Sequence, residues 1–395
     1  MAELIPIAEA RSRVLEAVRP LTAEPVPVAQ ALGRVLAEDV ESAISVPPFD
    51  SSAMDGYAVI AGDAAELEVI GEARAGHPAG AAVTPGAAIA ISTGAAVPEG
   101  TTAVVPVERT EAAGDSVSVP ATEPGANIRR AGEDIGVGEV VLRRGDVLSP
   151  AALGVAASVG RGAVSCARRP RVALLVTGDE LTEPGQPLAP GGIYSSNAYA
   201  LAGQVERAGA AIARHERVPD DAEATLASIG AALDDADVVV VSGGVSVGPH
   251  DHVKAAFARQ QAEQRFWGVR LRPGKPVWFG TRGDTLAFGL PGNPVSAMVT
   301  FQLFVRPALA ALQGADPSIT RTAARLDQPV ARNPRREQAV RVRLVAGEDG
   351  WRASPTRGAQ GSHVLTSMLG ADALALIAPG EGDAPAGDLV EVELL

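Results

Sequence analysis

Hydrophobic and polar positions along this chain change rhythm several times, and each change predicts a different kind of element. Near the N-terminus Ile7, Val14, Leu15 and Val18 fall on one face at helical spacing and Pro20 ends the run, so a helix is expected there. From about Glu41 to Glu139 the pattern shortens to apolar runs broken by Gly and Pro, as in "AAIAISTGAAVPEGTTAVVPVERT" and "DSVSVP". That texture predicts a β-rich module. "LSPAALGVAASVG" then restores helical spacing, with Ser149 placed to cap and Pro150 at the first helical position. The β module therefore reads as an insertion between helical pieces.

From Arg171 to about Leu312 strands and helices alternate: "RVALLV", "IYSSNAYALAGQVERAGA", "DAEATLASIGAAL", "ADVVVV", then "TLAFGL" before "SAMVTFQLFVRPALAAL". Continuous apolar strands between helices predict a parallel sheet covered on both faces. From about Ala315 the chain turns β again. Val340, Val342 and Leu344 alternate with Arg341 and Arg343, and Val390, Val392 and Leu394 with Glu391 and Glu393.

Composition narrows the class. At 395 residues the chain exceeds one ordinary core, so several domains are expected. Hydrophobic residues at 46% and charged residues at 21% exclude disorder of the whole chain. The N-terminal stretch mixes acids with apolar residues and does not read as a secretory signal, and no apolar run is expected to reach a membrane span. Cys166 is the only cysteine, which excludes a disulfide framework or a cysteine zinc site and suits a reducing cytoplasm. It is expected to be inert packing. The net charge of −13 argues against nonspecific nucleic-acid binding. An anionic small ligand would need local cations, and "WGVRLRPGKP" supplies Arg270, Arg272 and Lys275, with a solvated basic turn as the plainer alternative.

Ligands of open parallel sheets bind beyond the carboxyl ends of the strands, so the loops leaving those strands come first. "VALLV" leads into "TGDEL", "VVVV" into "SGGVSVGPHD" and "LAFGL" into "PGNPVSA". The loop from Ser242 to Gly248, with Gly243, Gly244 and Ser246, offers backbone N–H groups and hydroxyls as a cradle for an oxyanion. Pro291 and Gly292 lead to Pro294 and Ser296 at a helix start, where free N–H groups favour an anion; plain capping is the alternative. Asp179, Glu180, Asp220, Asp221 and Asp251 stand against these anion sites. A carboxylate beside a bound anion is repulsive unless a cation intervenes, which points to a divalent metal with oxygen ligands, Mg²⁺ being the plain choice. His250 and His252 lack a third ligand, so zinc is disfavoured and His252 is expected to start the next helix. In "PPFDSSAMDGYAV" Asp55 precedes Gly56, read as a tight turn into "YAVI", and local physics favours a structural hairpin. Thr93 and Gly94 in "ISTGAAVPEG" stay open between turn and site.

Taken in order along nearly the whole chain, "PPFDSSAMDGYAV", "STGAAVPEG", "TGDEL", "SGGVSVGPHD", "RPGKP", "GLPGNPVSA" and "QGSH" resemble the molybdopterin molybdenumtransferase family, called MoeA in bacteria and found as the E domain of gephyrin. The resemblance implies a multidomain α/β plus β fold, with an inserted β-rich domain at 42–139 and a connecting helical/β domain at 23–41 and 140–167. It places a molybdopterin-binding α/β domain at 3–22 and 168–315, and a β-barrel-like C-terminal domain at 316–395. It implies an elongated homodimer that joins adenylylated molybdopterin and molybdate, with a divalent cation such as Mg²⁺, to give molybdenum cofactor and AMP. An upstream molybdopterin adenylyltransferase is the implied delivery partner; neither nucleic acid nor membrane is expected. Carried over residue by residue, Asp55, Thr93, Glu180, Asp220 and Asp251 look like the polar residues of the pterin, nucleotide and metal pocket, with Glu180, Asp220 and Asp251 as metal ligands. Ser296, Arg341 and Ser362, with Arg272 and Lys275, look like the oxyanion end. Arg272 stands where a lysine is expected, and an arginine offers a bidentate fork but no base. An adenylyltransferase acting on molybdopterin and a noncatalytic scaffold of the gephyrin type are the alternative functions.

Overall fold

The computed structural model describes residues 4–246 and 252–395. The chain divides into two compact units, one formed by Pro25–Leu32 and Glu38–Ser165, the other by Met1–Glu24, Gly33–Ala37 and Cys166–Leu395.

In the smaller unit a six-stranded sheet runs in the order Ala103–Pro106, Gly56–Val59, Ala87–Ile91, Ala65–Ala73, Ser116–Val119, Glu111–Ala113. Its central strands are buried on both sides. Ala58, Ile89, Ile91 and Val104 pack on one face, while Val59, Ala88, Ala103 and Val105 pack on the other. Two-sided burial explains why "AAIAI" is continuously apolar instead of alternating. Helix Pro150–Ser158 begins as its residues dictate, with Ser149 Oγ accepting from the Ala152 N–H at 3.2 Å.

The stretch Pro47 to Val59 is not a hairpin. Ser51–Ser52 pairs with Ile128–Arg129, and Gly56–Val59 lies between Ala87–Ile91 and Ala103–Pro106. Gly56 itself is the first residue of the strand Gly56–Val59, and its φ is not positive, so no left-handed turn demands glycine there. A Cβ there would stand 1.9 Å from the Val105 carbonyl oxygen, so close approach of strands is what demands glycine.

The larger unit holds a second six-stranded sheet, ordered Ala211–Val218, Arg171–Thr177, Val238–Ser242, Thr285–Leu290, Trp278–Arg282, Glu263–Trp267. Its first four strands are parallel, as expected, and the strand Trp278–Arg282 runs antiparallel to both its neighbours, Thr285–Leu290 and Glu263–Trp267. The reason is the two-residue link Gly283–Asp284: so short a connection can only reverse the chain, and Gly283 supplies φ +58°. Alternate residues feed two cores. Val172, Leu174, Val238 and Val240 face the helices Ile7–Glu16, Ser196–Arg207 and Pro294–Thr300, while Ala173, Leu175, Val239 and Val241 face Ala222–Asp235 and Val253–Arg259.

The N-terminal helix spans Ile7–Glu16 and buries Ile7, Ala10 and Val14. Pro294–Leu312 forms one continuous helical run with a π turn at Phe301–Val305, just before Pro307, whose missing N–H cannot close an ordinary turn. At 19 residues it is long and apolar enough to cross a membrane, contrary to the sequence expectation, but most of it is buried in the protein. Cys166 is buried, and burial pushes its thiol pKa up, as inert packing requires.

Towards the C-terminus Glu337–Gly347, Gly350–Pro355, Arg321–Leu326, Leu389–Leu394 and Ala373–Ile377 pair in a ring, the last returning to the first. This closed barrel encloses Ala324, Val340, Val342, Ala353, Ala375 and Val392. Strand alternation assigns Arg341 and Glu393 to the opposite face from these valines, yet both are buried. Glu393 is paired with Arg11 at 3.1 Å and Arg321 at 2.7 Å; Arg341 has a different environment.

Candidate functional site

Register places the carboxyl ends of the parallel strands side by side: Thr177 lies opposite Val218, and Ser242 opposite both Val176 and Leu290. The loops that follow therefore share one edge of the sheet. Gly243 and Gly244 turn the chain with φ of +101° and +63°, and a Cβ on either would press on Thr177 or Val253. The Gly243 N–H donates to Leu290 O at 3.0 Å, and Ser242 Oγ donates to Pro291 O at 3.2 Å. A Cβ on Gly292 would lie 3.6 Å from Gly243 Cα, so the two glycine loops touch. Beyond them, Trp267 Nε1 donates to Val245 O, and Lys254 donates to Ser246 O while lying over the Trp267 ring. These side chains hold the loop's carbonyls.

Asn197, which no motif singled out, joins the loops. Its Nδ2 donates to Ser242 Oγ at 2.9 Å and to Gly292 O at 2.7 Å. The available signal was a polar side chain at a helix start near the ligand edge, too common to stand out.

The acids divide into two kinds. Asp220 N–H donates to Asp179 Oδ1 at 3.1 Å, and Asp179 N–H to Asp220 Oδ2 at 3.4 Å, so these carboxylates are held against each other's loops. Glu180 is exposed and folds back over Gly178, where a Cβ would meet its carboxylate at 2.5 Å. Asp221 instead caps helix Ala222–Asp235, accepting from Ala224 N–H at 2.8 Å. Among the described residues no three His, Cys, Asp or Glu side chains stand close enough to hold a metal ion. Gly248, His250 and Asp251 lie outside the described residues. His252 precedes helix Val253–Arg259 as expected, without a side-chain cap bond.

A second cluster forms where Pro294–Thr300 begins. Ser362 O accepts from Val295 N–H at 3.1 Å, and Ser362 Oγ from Asn293 Nδ2 at 3.1 Å, so Ser296 and Ser362 are neighbours. One first-turn amide is thereby already satisfied by the protein. Arg341 is 1% exposed. Its guanidinium donates to Ser367 Oγ, Ala339 O and, at 3.5 Å, Gly361 O, and meets no carboxylate among the described residues. Burial without a counter-ion lowers its pKa to about 10. Arg272 and Lys275 are exposed. Their loop passes this helix, because a Cβ on Gly274 would meet Thr300 Cγ2 at 2.5 Å, and Arg272 pairs with Gln338 on the strand bearing Arg341.

In the smaller unit, Asp55 and Thr93 are brought together: Asp55 Oδ1 accepts from Thr93 N–H at 2.7 Å. Both are exposed, and Gly94 turns the chain beside them with φ +78°.

The chain matches the descriptions "MoeA N-terminal region (domain I and II)" over residues 5–160, "Probable molybdopterin binding domain" over 173–311 and "MoeA C-terminal region (domain IV)" over 323–395. It is 36% identical to a molybdopterin molybdenumtransferase of Haemophilus influenzae, with 99% of this chain and 98% of that protein covered. It is 39% identical to molybdopterin molybdenumtransferase 2 of Mycobacterium tuberculosis, covering 77% and 78% respectively. A solved structure of a molybdopterin biosynthesis moeA protein from Pyrococcus horikoshii superposes with a TM-score of 0.84 at 31% identity, over 100% of both chains. With near-complete coverage at this identity, and with the sheet, barrel and inserted β module all present, the chain belongs to the molybdopterin molybdenumtransferase (MoeA) family.

Proposed function

We propose that this protein inserts molybdenum into adenylylated molybdopterin and releases AMP. The observation that carries the reading is the pair of anion-fitted clusters in the larger unit: glycine loops meeting at Ser242 and Gly292, and a buried uncompensated cation, Arg341, beside Ser362 and the helix bearing Ser296. A doubly anionic guest needs both.

In this reading Gly244 and Ser246 orient the phosphates of the pterin nucleotide through backbone N–H groups and a hydroxyl, while Gly243, whose own N–H is held by Leu290 O, supplies the turn. Ser296, Ser362 and Arg341 hold molybdate, with Arg272 and Lys275 adding long-range attraction in a background of −13 net charge. The dithiolene sulfurs belong to the substrate, so a chain with one buried cysteine supplies no thiolate. Glu180 and Asp220 are hard oxygen donors without a basic partner among the described residues, which fits Mg²⁺ held by one or two carboxylates plus substrate phosphates. Asp251 completes the proposed ligand set. The bound ion would neutralise charge between those carboxylates and the pyrophosphate. The reading extends to a homodimer in the cytoplasm, supplied by a molybdopterin adenylyltransferase.

Incubation with adenylylated molybdopterin, molybdate and Mg²⁺ is expected to release AMP only when molybdate is present. Binding without AMP release would support the scaffold reading, whereas consumption of ATP with free molybdopterin would support an adenylyltransferase.

Asp55→Asn keeps the acceptor for the Thr93 N–H but removes the charge. Turnover is expected to fall about tenfold with an unchanged fold, the scale of one lost charge-assisted hydrogen bond. Near-normal turnover would take Asp55 out of the site.

A further inference from the structure

We infer that Asn197 is a positioning residue for the phosphate end of the site, locking the loop after Val238–Ser242 to the loop after Thr285–Leu290. The inference rests on the function proposed above. One amide group reaches both loops: Nδ2 donates to Ser242 Oγ and to Gly292 O, residues 45 and 95 positions away in sequence. Because the Gly292 carbonyl can only accept, the orientation of the amide is determined chemically. Ser242 Oγ passes the connection on to Pro291 O.

Stability alone gives a poor account of this side chain. Both amide hydrogens are used, but Asn197 Oδ1 is buried with no partner among the described residues, as is Ser195 Oγ two residues earlier. An unpaired buried acceptor is destabilising, and an apolar side chain of similar volume would remove that penalty. What such a replacement cannot do is hold two loops in register. Asn197 is suited to that task because it sits in the first turn of Ser196–Arg207, a 12-residue helix whose Ala198, Leu201 and Val205 are buried in the core. A rigid element thus sets the Gly243 bond to Leu290 O and, through it, where the Gly244 N–H points.

The test uses the full-length protein with Asn197→Leu, which keeps volume and adds no charge, and Asn197→Ala as a second variant. AMP is the equilibrium probe. Affinity for AMP is expected to fall about tenfold, with the KM for adenylylated molybdopterin rising in parallel, while the KM for molybdate and kcat stay near wild type. Hydrogen exchange at the Gly243 amide, which donates to Leu290 O, is expected to accelerate at least about tenfold. Unchanged AMP affinity and unchanged Gly243 exchange in both variants would overturn the inference. So would a lowered Tm and kcat with both KM values intact, the signature of a merely structural residue. Should wild-type protein neither bind AMP nor release it, the functional reading fails, and Gly243 exchange alone then decides whether Asn197 locks the loops.

Discussion

Arg341→Met is expected to raise the molybdate concentration needed for half-maximal turnover by on the order of 100-fold while leaving the fold about as stable as before. Arg341 is almost wholly buried, and its hydrogen bonds end on neutral oxygens. Its pKa of about 10 in the folded protein lies below the ordinary arginine value, so the folded state resists the charged form. The sign follows. At any pH below about 10 the penalty is fully present, and it fades only as pH rises through the interval up to the unfolded value. A shift of this size corresponds to roughly 3 kcal/mol at neutral pH, and methionine removes it along with three hydrogen bonds worth about 1 kcal/mol each. The two nearly cancel. An anion bound at the guanidinium compensates the charge, and that interaction exists only with the ligand present. Molybdate-dependent kinetics and thermal unfolding of the same variant check both halves. A folded variant with unaltered molybdate dependence would remove Arg341 from the oxyanion site, and a collapse of Tm would make it a structural cation.

Gly56→Ala should lower the Tm of the protein by on the order of 10 °C, through a loss of about 3 kcal/mol in the smaller unit. The added methyl would stand 1.9 Å from Val105 O and 3.0 Å from Pro106 Cα. Those atoms belong to a neighbouring strand whose backbone is paired across Gly56–Val59, so neither can move without breaking the ladder. Gly71→Ala, in the strand Ala65–Ala73, is the control: nothing lies within 4 Å of a Cβ there and φ is not positive. Scanning calorimetry of the two variants should therefore separate them widely. Equal transition temperatures would mean that strand contact does not explain Gly56. Because Asp55 directly precedes this glycine, a shifted strand also moves the carboxylate that accepts from Thr93.

Residue order was informative wherever a pattern spans only a few positions. Four consecutive valines before Ser242 marked a strand buried on both faces, and Val238–Ser242 is one. Ser149 and Pro150 mark a helix start, and alternation from Val340 to Leu344 marks a strand, Glu337–Gly347. Turn chemistry placed the glycine loops after the strands, and the ordered motifs across the chain pointed to the family. Each of these signals is local, because helix spacing, strand alternation and φ preference act within a turn or two of backbone.

Other features depend on contacts between distant segments. Gly56 looked like a turn glycine because its neighbours in sequence are turn-like, whereas its constraint comes from Val105 across the sheet. Arg341 follows an in-out alternation that puts it on the outer face of the barrel, yet the segment bearing Gly361 and Ser367 covers it there. Asp221 matched the other loop acids in type and was claimed by a helix cap, while Asn197 carried no motif and joins two loops. Strand and helix identity follow from short-range backbone preference; which loops meet, and which charges lose their water, follows from packing that only the folded chain defines.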